Sequence, residues 1–277
     1  MKRHPSVLVV GAGSPNADWV AQVLNANGIR ASWTDRIKAP DPGYIRKFDI
    51  IYGIYLQTCS RYIVVGKLLG KKTVLHFVGS DAYWFAREHS VLRSLYWRLV
   101  LNLTDVLLYV SPHLESLIGR RGIIVPFPIA VEDFHKIGLE EMPQRRDILY
   151  YCPSGESNEK IYRFDWILDY AEKHPCQKIT IIGNKMHPAN YHIDLSNVEV
   201  VPFVEYDRMP ALYKQHKRLI RMTTEDGLPR MIHEALLSGL EVTYNGVEIT
   251  EVPKERETRN FASTVNTIFK ELHPVDT

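Results

Sequence analysis

Short apolar runs alternate with longer amphipathic stretches along the whole chain. Runs rich in β-branched residues predict strands in the first half at 7–10, 30–33, 49–52, 73–77, 106–110 and 123–125. In the second half they predict strands at 148–152, 178–182, 198–201, 219–223 and 241–244. Helical spacing of apolar residues predicts helices at 16–27, 61–69, 159–173, 207–216, 229–238 and 258–272. This alternation predicts an α/β fold with mostly parallel sheets.

The periodicity lapses at 134–147, a charged and proline-containing stretch that indicates a linker. We therefore expect a Rossmann-like N-terminal domain at 1–137 and a second domain at 138–257. The last predicted helix, within 258–277, has no strand after it, and we expect it to pack back towards the first domain. Open parallel sheets bind ligands outside the carboxyl ends of their strands, so we expect the two domains to face a central cleft.

Charge and composition exclude several classes of function. Lys and Arg number 34 against 32 Asp and Glu, which gives no sequence-independent attraction to nucleic acid. The three cysteines lack the spacing of a disulfide framework or a zinc site, so we expect a cytoplasmic protein and no metal. No run approaches roughly 18 apolar residues, the length of a membrane span, and the N-terminus is too short for a signal peptide. Any membrane contact would be made at the surface.

The segment from Thr223 to Gly239 has the form strand, loop, helix. Asp226 and Gly227 fall in the loop at the helix N-terminus, where free backbone N–H groups favour an anion such as a phosphate. Glu234 lies on the flank of the helix's apolar face, where a carboxylate can accept hydrogen bonds from a ribose diol. In the alternative interpretation, Asp226 only caps the helix and Glu234 is a surface charge.

This segment, Asp226-Gly-Leu-Pro-Arg-Met-Ile-His-Glu234-Ala ending in Ser-Gly239, resembles the donor motif of glycosyltransferase family 4. That motif has two glutamates separated by seven residues, and Asp226 replaces the first of them. The resemblance implies that Asp226 is a catalytic carboxylate facing the donor sugar and that Glu234 binds the ribose. It also implies that Gly227, Leu228 and Arg230 contribute to the donor site.

Further segments match the family in the same order. They are Thr104 to Pro112, Ile123 to Phe134, Asn197 to Phe203 and Met209 to Tyr213. Val74-Leu-His76-Phe-Val-Gly79-Ser-Asp81 resembles the segment on which related enzymes place a cleft histidine, which implies a catalytic His76. The alternative is a hydrogen-bonded core histidine.

Gly11-Ala-Gly13 resembles the family's opening glycine loop, which implies a close backbone approach to donor phosphate or acceptor. Asn16 stands where a dinucleotide fingerprint requires its third glycine, so an NAD-linked oxidoreductase has little support. The family also carries an Arg, five residues and a Lys that hold the donor diphosphate. Here Lys160 is in place, but Ser154 occupies the Arg position, and Arg163 and Arg230 are the nearest substitutes in sequence.

The aromatic stretch at 83–85 and the apolar stretch at 92–103 fit either core packing or a surface that meets a lipid-linked or aromatic acceptor.

Taken as a whole, the resemblance implies a GT-B fold and a retaining, metal-independent glycosyltransferase of the hexosyltransferase type. Its donor would be a UDP-, GDP- or ADP-sugar, its acceptor a hydroxyl group, and it would need no cofactor. It would act in the cytoplasm, with a peripheral contact to the membrane surface if the apolar stretch is exposed. The alternative is a GT-B protein that binds a nucleotide or glycan without turnover, which the substitutions at Ser154 and Asp226 favour. The sequence leaves the donor base, the sugar, the acceptor and the oligomeric state open.

Overall fold

The computed structural model describes residues 5–11, 13–35, 39–129, 134, 146–183, 195–201, 204–227, 229–252, 254 and 257–273, with the backbone alone at 13–16. The chain divides into two α/β units. Unit 1 consists of residues 1–128 and 254–277, and unit 2 of residues 129–253. The expected boundary at 137/138 lies outside the described residues.

Unit 1 is built on a parallel sheet with the order β2-β1-β3-β4-β5-β6. Its strands are β1 (Val7–Gly11), β2 (Ala31–Asp35), β3 (Ile50–Ile54), β4 (Lys72–Phe77), β5 (Val106–Tyr109) and β6 (Ile123–Ile124). Its helices are α1 (Gly13–Ala26), α2 (Pro42–Ile45), α3 (Leu56–Leu68), α4 (Ser80–Ala86), α5 (Val91–Leu103), α6 (Pro112–Ile118) and α11 (Thr258–Leu272). β1 and β3 are buried along their whole length, as expected for parallel strands covered on both faces.

The last helix of the chain belongs to the core of unit 1. The ring of Phe269 on α11 lies edge-on to Tyr52 of β3, with centroids 6.0 Å apart. Phe261 packs against Phe127 at 6.4 Å. The amphipathic spacing of 258–272 therefore serves to cover the sheet of the first unit.

Unit 2 has the sheet order β12-β11-β10-β7-β8-β9, in which only β12 is antiparallel to its neighbour among the described strands. Its strands are β7 (Arg146–Tyr151), β8 (Ile179–Ile182), β9 (Val198–Val201), β10 (His216–Arg221), β11 (Glu241–Tyr244) and β12 (Val247–Ile249). Its helices are α7 (Glu156–Ile161), α8 (Phe164–Lys173), α9 (Met209–Lys214) and α10 (Arg230–Leu237). Counted within the unit, this is the order 3-2-1-4-5-6 of the Rossmann fold, whose topological switch point lies between β7 and β10.

Three local features of unit 2 differ from the expectations. The helix predicted at 159–173 is two helices, because Arg163 has a left-handed backbone (φ 49°, ψ 54°). The stretch predicted as a helix at 207–216 begins as a 3-10 turn, Tyr206–Arg208, and gives way to β10 at His216. β12 was not predicted; it forms a hairpin with β11 through Asn245 (φ 48°) and Gly246 (φ 81°), the conformation that Asn-Gly favours in two-residue turns.

No helix within the described ranges has the length and apolar character that crossing a membrane requires.

Candidate functional site

Arg221 ends β10 at the switch point of unit 2. Its neighbours in the sheet follow from the pairing of Ile220 with Tyr150, which brings Arg221 beside Tyr151 at the end of β7. The side chain is buried, and its guanidinium carbon lies over the ring of Tyr151 at 4.8 Å and over that of Tyr162 at 4.9 Å. Two aromatic faces thus hold a cation at the edge of the sheet where Rossmann folds bind ligands.

The partner of this cation is Asp226. Arg221 Nη2 donates to Asp226 Oδ2 at 2.5 Å, and the two side chains are 6% and 15% exposed. Burial is the largest single influence and acts to lower the pKa of Arg221, but the charge and hydrogen bond of Asp226, together with Tyr162 and Tyr151, outweigh it, and the net shift is upward. Arg221 is therefore permanently charged, and Asp226 is held in one place by an ion pair.

Asp226 does not cap the following helix. Its Oδ1 accepts the N–H of Gly227 at 2.9 Å, while α10 begins after Pro229, which makes no side-chain capping bond. The expectation that Pro229 is the first helical residue is off by one position. Asp226 and Gly227 do lie in the loop before α10, and Leu228 lies outside the described residues.

Glu234 is 3% exposed, so the alternative of a surface charge is wrong. Its Oε1 accepts the hydroxyl of Tyr206 and its Oε2 the hydroxyl of Tyr213, each at 3.1 Å. Arg230 lies over the ring of Tyr206, 5.2 Å from the centroid. The carboxylate faces two tyrosines inside unit 2, a pair that no signal in the motif itself indicated.

The loop and helix after β7 carry the remaining polar groups near the switch point. Ser154 follows β7, and its carbonyl accepts a hydrogen bond from the side chain of Asn158 at 2.8 Å. Lys160 on α7 is exposed and pairs with Glu156 at 2.7 Å, one helical turn away. The end of α7 is tied to the loop after β10 by the bond from Thr224 N–H to Ile161 O at 2.9 Å. The structure therefore brings the β7 loop, α7 and the β10 loop together.

Of the cations considered as substitutes for the missing arginine, neither Arg163 nor Arg230 has the position of Arg221. Arg163 lies between α7 and α8, 3.6 Å from Asp165, and Arg230 faces Tyr206. Arg221 lies before the segment from Thr223 to Gly239, so the resemblance of that segment does not include it. Its signal was a charged residue within an otherwise apolar predicted strand at 219–223.

His76 is wholly buried within unit 1, and both ring nitrogens have partners. Nε2 lies 2.8 Å from the carbonyl oxygen of Val125, which can only accept, so Nε2 carries the proton. Nδ1 then accepts the hydroxyl of Tyr52 at 2.6 Å. Burial lowers the pKa of His76 to about 4. These contacts correct the expectation of a cleft histidine in favour of the hydrogen-bonded core histidine.

Gly11, at the end of β1, is needed for packing. A Cβ at this position would lie 3.0 Å from the Cβ of Ala17 on α1 and 3.5 Å from that of Ile54 on β3. The glycine lets α1 approach the sheet closely. Packing within the fold therefore accounts for this residue, which the resemblance assigned to ligand binding. Gly13 is the first residue of α1, so its backbone lies at a helix N-terminus.

Asp81, in the same segment as His76, connects two loops of unit 1. Its carboxylate accepts the N–H groups of Val78, Gly79 and Leu56 at 3.0–3.3 Å. Burial raises the pKa of Asp81 to about 6, and the backbone N–H groups oppose that shift. The residue fixes the starts of α3 and α4 at the carboxyl edge of the sheet.

Within the described ranges, no three His, Cys, Asp or Glu side chains are grouped so that they could hold a metal ion.

Comparison with protein-family models gives no match, and neither does comparison with the sequences of curated proteins. Solved structures do match. The Anabaena protein HepE in complex with UDP-glucose is 13% identical, with a TM-score of 0.64 over 98% of this chain and 92% of that one. The sucrose-phosphate synthase of Thermosynechococcus elongatus is 13% identical, with a TM-score of 0.65 over 99% of this chain and 91% of that one. An α-glucosyltransferase in complex with UDP and DNA is 11% identical, with a TM-score of 0.59 over 87% of this chain and 80% of that one.

At such identities the likeness concerns the fold, and it spans both units. The predicted fold is confirmed: the chain has the GT-B fold, with two Rossmann-like units, that these structures share.

Proposed function

We propose that the protein is a glycosyltransferase that moves a sugar from a nucleotide-diphosphate sugar to a hydroxyl acceptor. The observation that carries the proposal is the Arg221–Asp226 pair at the switch point of unit 2. A Rossmann sheet binds its ligand at this point, and here a buried cation holds a partly buried carboxylate in a fixed orientation. HepE, a structural neighbour, was crystallised with UDP and with UDP-glucose, which makes UDP-glucose the first donor to test.

In this proposal Asp226 faces the donor sugar, and Arg221 positions it. Lys160 approaches the diphosphate. Its present pair with Glu156 is exposed on both sides, and such surface pairs contribute little, so Lys160 can exchange one anionic partner for another. The backbone N–H groups in the first turn of α10, which begins at Arg230, add dipoles of the same sign.

Glu234 is proposed to bind the ribose together with its two tyrosines. A carboxylate that already accepts one hydrogen bond on each oxygen retains further lone pairs, which can accept from a diol. The tyrosines fix its orientation, and Arg230, over Tyr206, lies at the same corner of the unit.

In the reaction, the acceptor oxygen forms a bond to the anomeric carbon as the bond from that carbon to the diphosphate breaks, and the hydroxyl proton of the acceptor passes to the leaving diphosphate. The sugar then has oxocarbenium character, and negative charge grows on the leaving group. Lys160 and the N–H groups at the start of α10 would stabilise that charge without a metal ion. We propose retention of the anomeric configuration, in keeping with the donor motif. A cytoplasmic setting is supported by cysteines that are free in the structure.

A second candidate is a protein that binds the nucleotide without turnover. Two observations favour it: the charge of Asp226 is already compensated by its ion pair with Arg221, and Ser154 stands where the family has an arginine. Both candidates share the nucleotide site and differ in activity.

The test begins with isothermal titration of the full chain with UDP, GDP, ADP and UDP-glucose. We expect one nucleotide to bind and to raise the stability by about 2.7 kcal/mol at 100 times its Kd. Release of free nucleotide from the sugar donor is then followed over time. It distinguishes an enzyme from a protein that binds the nucleotide without turnover. If no nucleotide of the panel binds a folded chain, both candidates are wrong.

Arg221→Met and Arg218→Met form a matched pair, because both arginines lie on β10 and both pair with a carboxylate. Arg218 pairs with the exposed Glu241. We expect Arg221→Met to lower kcat with the sugar donor more than the affinity for the nucleotide diphosphate alone, since Asp226 loses its orientation. Arg218→Met should leave both unchanged. Equal effects of the two variants on kcat and on affinity would show that Arg221, at the switch point, has no specific role in the reaction.

A further inference from the structure

The outward side of α4 and α5 in unit 1 is apolar. α5 packs into the unit through Trp97, Val100 and Leu101. Its opposite side also carries large apolar side chains, α4 adds an exposed tryptophan, and all of these are between 50% and 82% exposed. The set, here called the α4–α5 face, consists of Trp84, Val91, Leu92, Leu95 and Leu99.

The spacing of the three leucines makes them one apolar stripe on α5. Leu92, Leu95 and Leu99 are separated by three and four residues, which places them on one side of a helix. A helix that is apolar on both sides is normally covered on both sides. Single exposed leucines need no explanation, but a contiguous group marks an interaction surface.

The charges around the face are predominantly positive. From Trp84 to Leu99 the chain carries three arginines and a single acidic residue. The three, Arg87, Arg93 and Arg98, are all exposed. The acidic residue, Glu88, is engaged by Arg93 at 3.1 Å. The face therefore combines exposed leucines and a tryptophan with a surplus of guanidinium groups.

We propose that the α4–α5 face docks onto an anionic lipid bilayer, with α5 lying in the plane of the interface. Leucine and tryptophan side chains enter the boundary between headgroups and acyl chains, and guanidinium groups meet the lipid phosphates. This inference is independent of the proposed transfer reaction.

The charge pattern favours a bilayer over a second copy of the chain. A twofold interface brings the same patch of both subunits together, so the arginines of one copy would face those of the other. Like charges opposed across an interface are unfavourable, whereas an anionic surface complements them.

The experiment is co-sedimentation of the full chain with vesicles of phosphatidylcholine alone or mixed with phosphatidylglycerol. We expect binding to the mixed vesicles, little binding to the neutral ones, and loss of binding as salt is raised, because counter-ions screen the arginines. Absence of binding to mixed vesicles, or equal binding to both kinds, would overturn the proposal.

Two triple variants test the two parts of the face. Leu92→Ser/Leu95→Ser/Leu99→Ser removes the apolar part, and its side chains are exposed, so the fold should persist by circular dichroism. Arg87→Gln/Arg93→Gln/Arg98→Gln should lower the partition coefficient by about 100-fold, at roughly fivefold for each basic residue. The arginine variant and the salt series still decide the matter if the serine variant fails to fold.

Matched controls come from unit 2, where Val247 is an exposed apolar residue and Arg208 an exposed arginine. Val247→Ser and Arg208→Gln should leave vesicle binding unchanged. Sedimentation equilibrium supplies the rival outcome: a dimer that the triple serine variant abolishes, with no vesicle binding, would assign the face to a second copy and refute the bilayer.

Discussion

Two tyrosine hydroxyls orient the carboxylate of Glu234 inside unit 2, so Glu234 contributes to the stability of the unit, beside its proposed role in binding the ribose. Glu234→Ala should destabilise the protein by about 2–4 kcal/mol, because the hydroxyl of Tyr213 loses its acceptor in a buried place and that of Tyr206 in a partly buried one. Glu234→Gln keeps one acceptor oxygen and should cost less. Urea unfolding measures both, and Glu241→Ala, at an exposed position of β11, is the control.

Nucleotide affinity gives a second measurement on Glu234→Gln. If Glu234 binds the ribose, the affinity should fall by about tenfold or more as charged hydrogen bonds become neutral ones. Unchanged affinity in a folded Glu234→Gln protein would leave Glu234 with a structural role only.

His76 gives the protein a sensitivity to acid. Its pKa is lowered from 6.5 to about 4 by burial, so the folded state favours the neutral ring. The resulting stability is fully present above pH 6.5 and is lost as the pH falls towards 4, by about 3 kcal/mol in all. His76→Gln should be less stable at neutral pH, and its stability should change less between pH 6.5 and 4.

The comparison must be made as a difference between variant and wild type. Asp81 has a raised pKa, about 6, so its contribution is present at low pH and is lost as the pH rises from about 4 to 6, the opposite direction. Subtracting the two unfolding curves removes this common term. His89→Gln, at an exposed histidine, controls for the change in total charge. A difference that does not vary with pH would mean that His76 has the same pKa in the folded and unfolded protein, and the lowered pKa would be wrong.

Residue roles were harder to predict than residue positions. The donor motif placed Asp226 and Gly227 correctly in the loop before α10, because glycine, proline and the apolar face of that helix are local signals. The partners of Asp226 and Glu234 could not be found this way. Tyr206 and Tyr213 are more than 20 residues from Glu234, and only the tertiary fold brings them together. The same holds for His76, whose contact with Val125 spans 49 positions.

At the scale of elements, the hairpin of β11 and β12 holds the backbone at the end of β10 in place. Asn245 Oδ1 accepts the N–H of Thr223 at 2.8 Å, and its own N–H donates to Arg221 O at 3.0 Å. The turn therefore fixes the backbone that follows Arg221.

Asn245→Ala should destabilise unit 2 by about 1–2 kcal/mol. The left-handed backbone is less favourable for alanine than for asparagine, and the Thr223 N–H loses its acceptor. The same variant should weaken nucleotide binding if the β10 loop forms the site. Thermal unfolding and titration measure the two effects. Asn245→Asp, which keeps both the acceptor and a tolerance for positive φ, should remain close to wild type.

Elements with strong local patterns were predicted closely. The strands of both sheets were placed within a few residues, and α11 was predicted at its observed bounds, since its apolar spacing is regular. The breaks were missed. β12 is only three residues long, and the interruption between α7 and α8 depends on the hydroxyl of Tyr150, which binds the carbonyls of Tyr162 and Arg163 at 2.6 and 3.2 Å. A contact of that kind does not show in hydrophobic periodicity.

At the scale of the whole molecule, the stability of unit 1 depends on residues from both ends of the chain. Phe269→Ala should cost about 3–5 kcal/mol, the range for removing a buried phenylalanine ring. Hydrogen exchange should show the loss of protection in β3 and β4, around Tyr52, while β7 and β10 keep theirs. Phe85→Ala is the control, because Phe85 is a partly exposed ring of the same unit that stacks on Trp97. Equal loss of protection in both units would show that they unfold as one.

The position of α11 also bears on how the protein forms during synthesis. Unit 2 is a continuous stretch, residues 129–253, whereas unit 1 needs residues on both sides of it. A ribosome adds roughly 5–20 residues per second. The interval between the synthesis of Phe127 and that of Phe261 and Phe269 is therefore on the order of 10–30 s. The unit that begins first on the ribosome is thus the one that finishes last, and during that interval its sheet has an apolar surface open to chaperones.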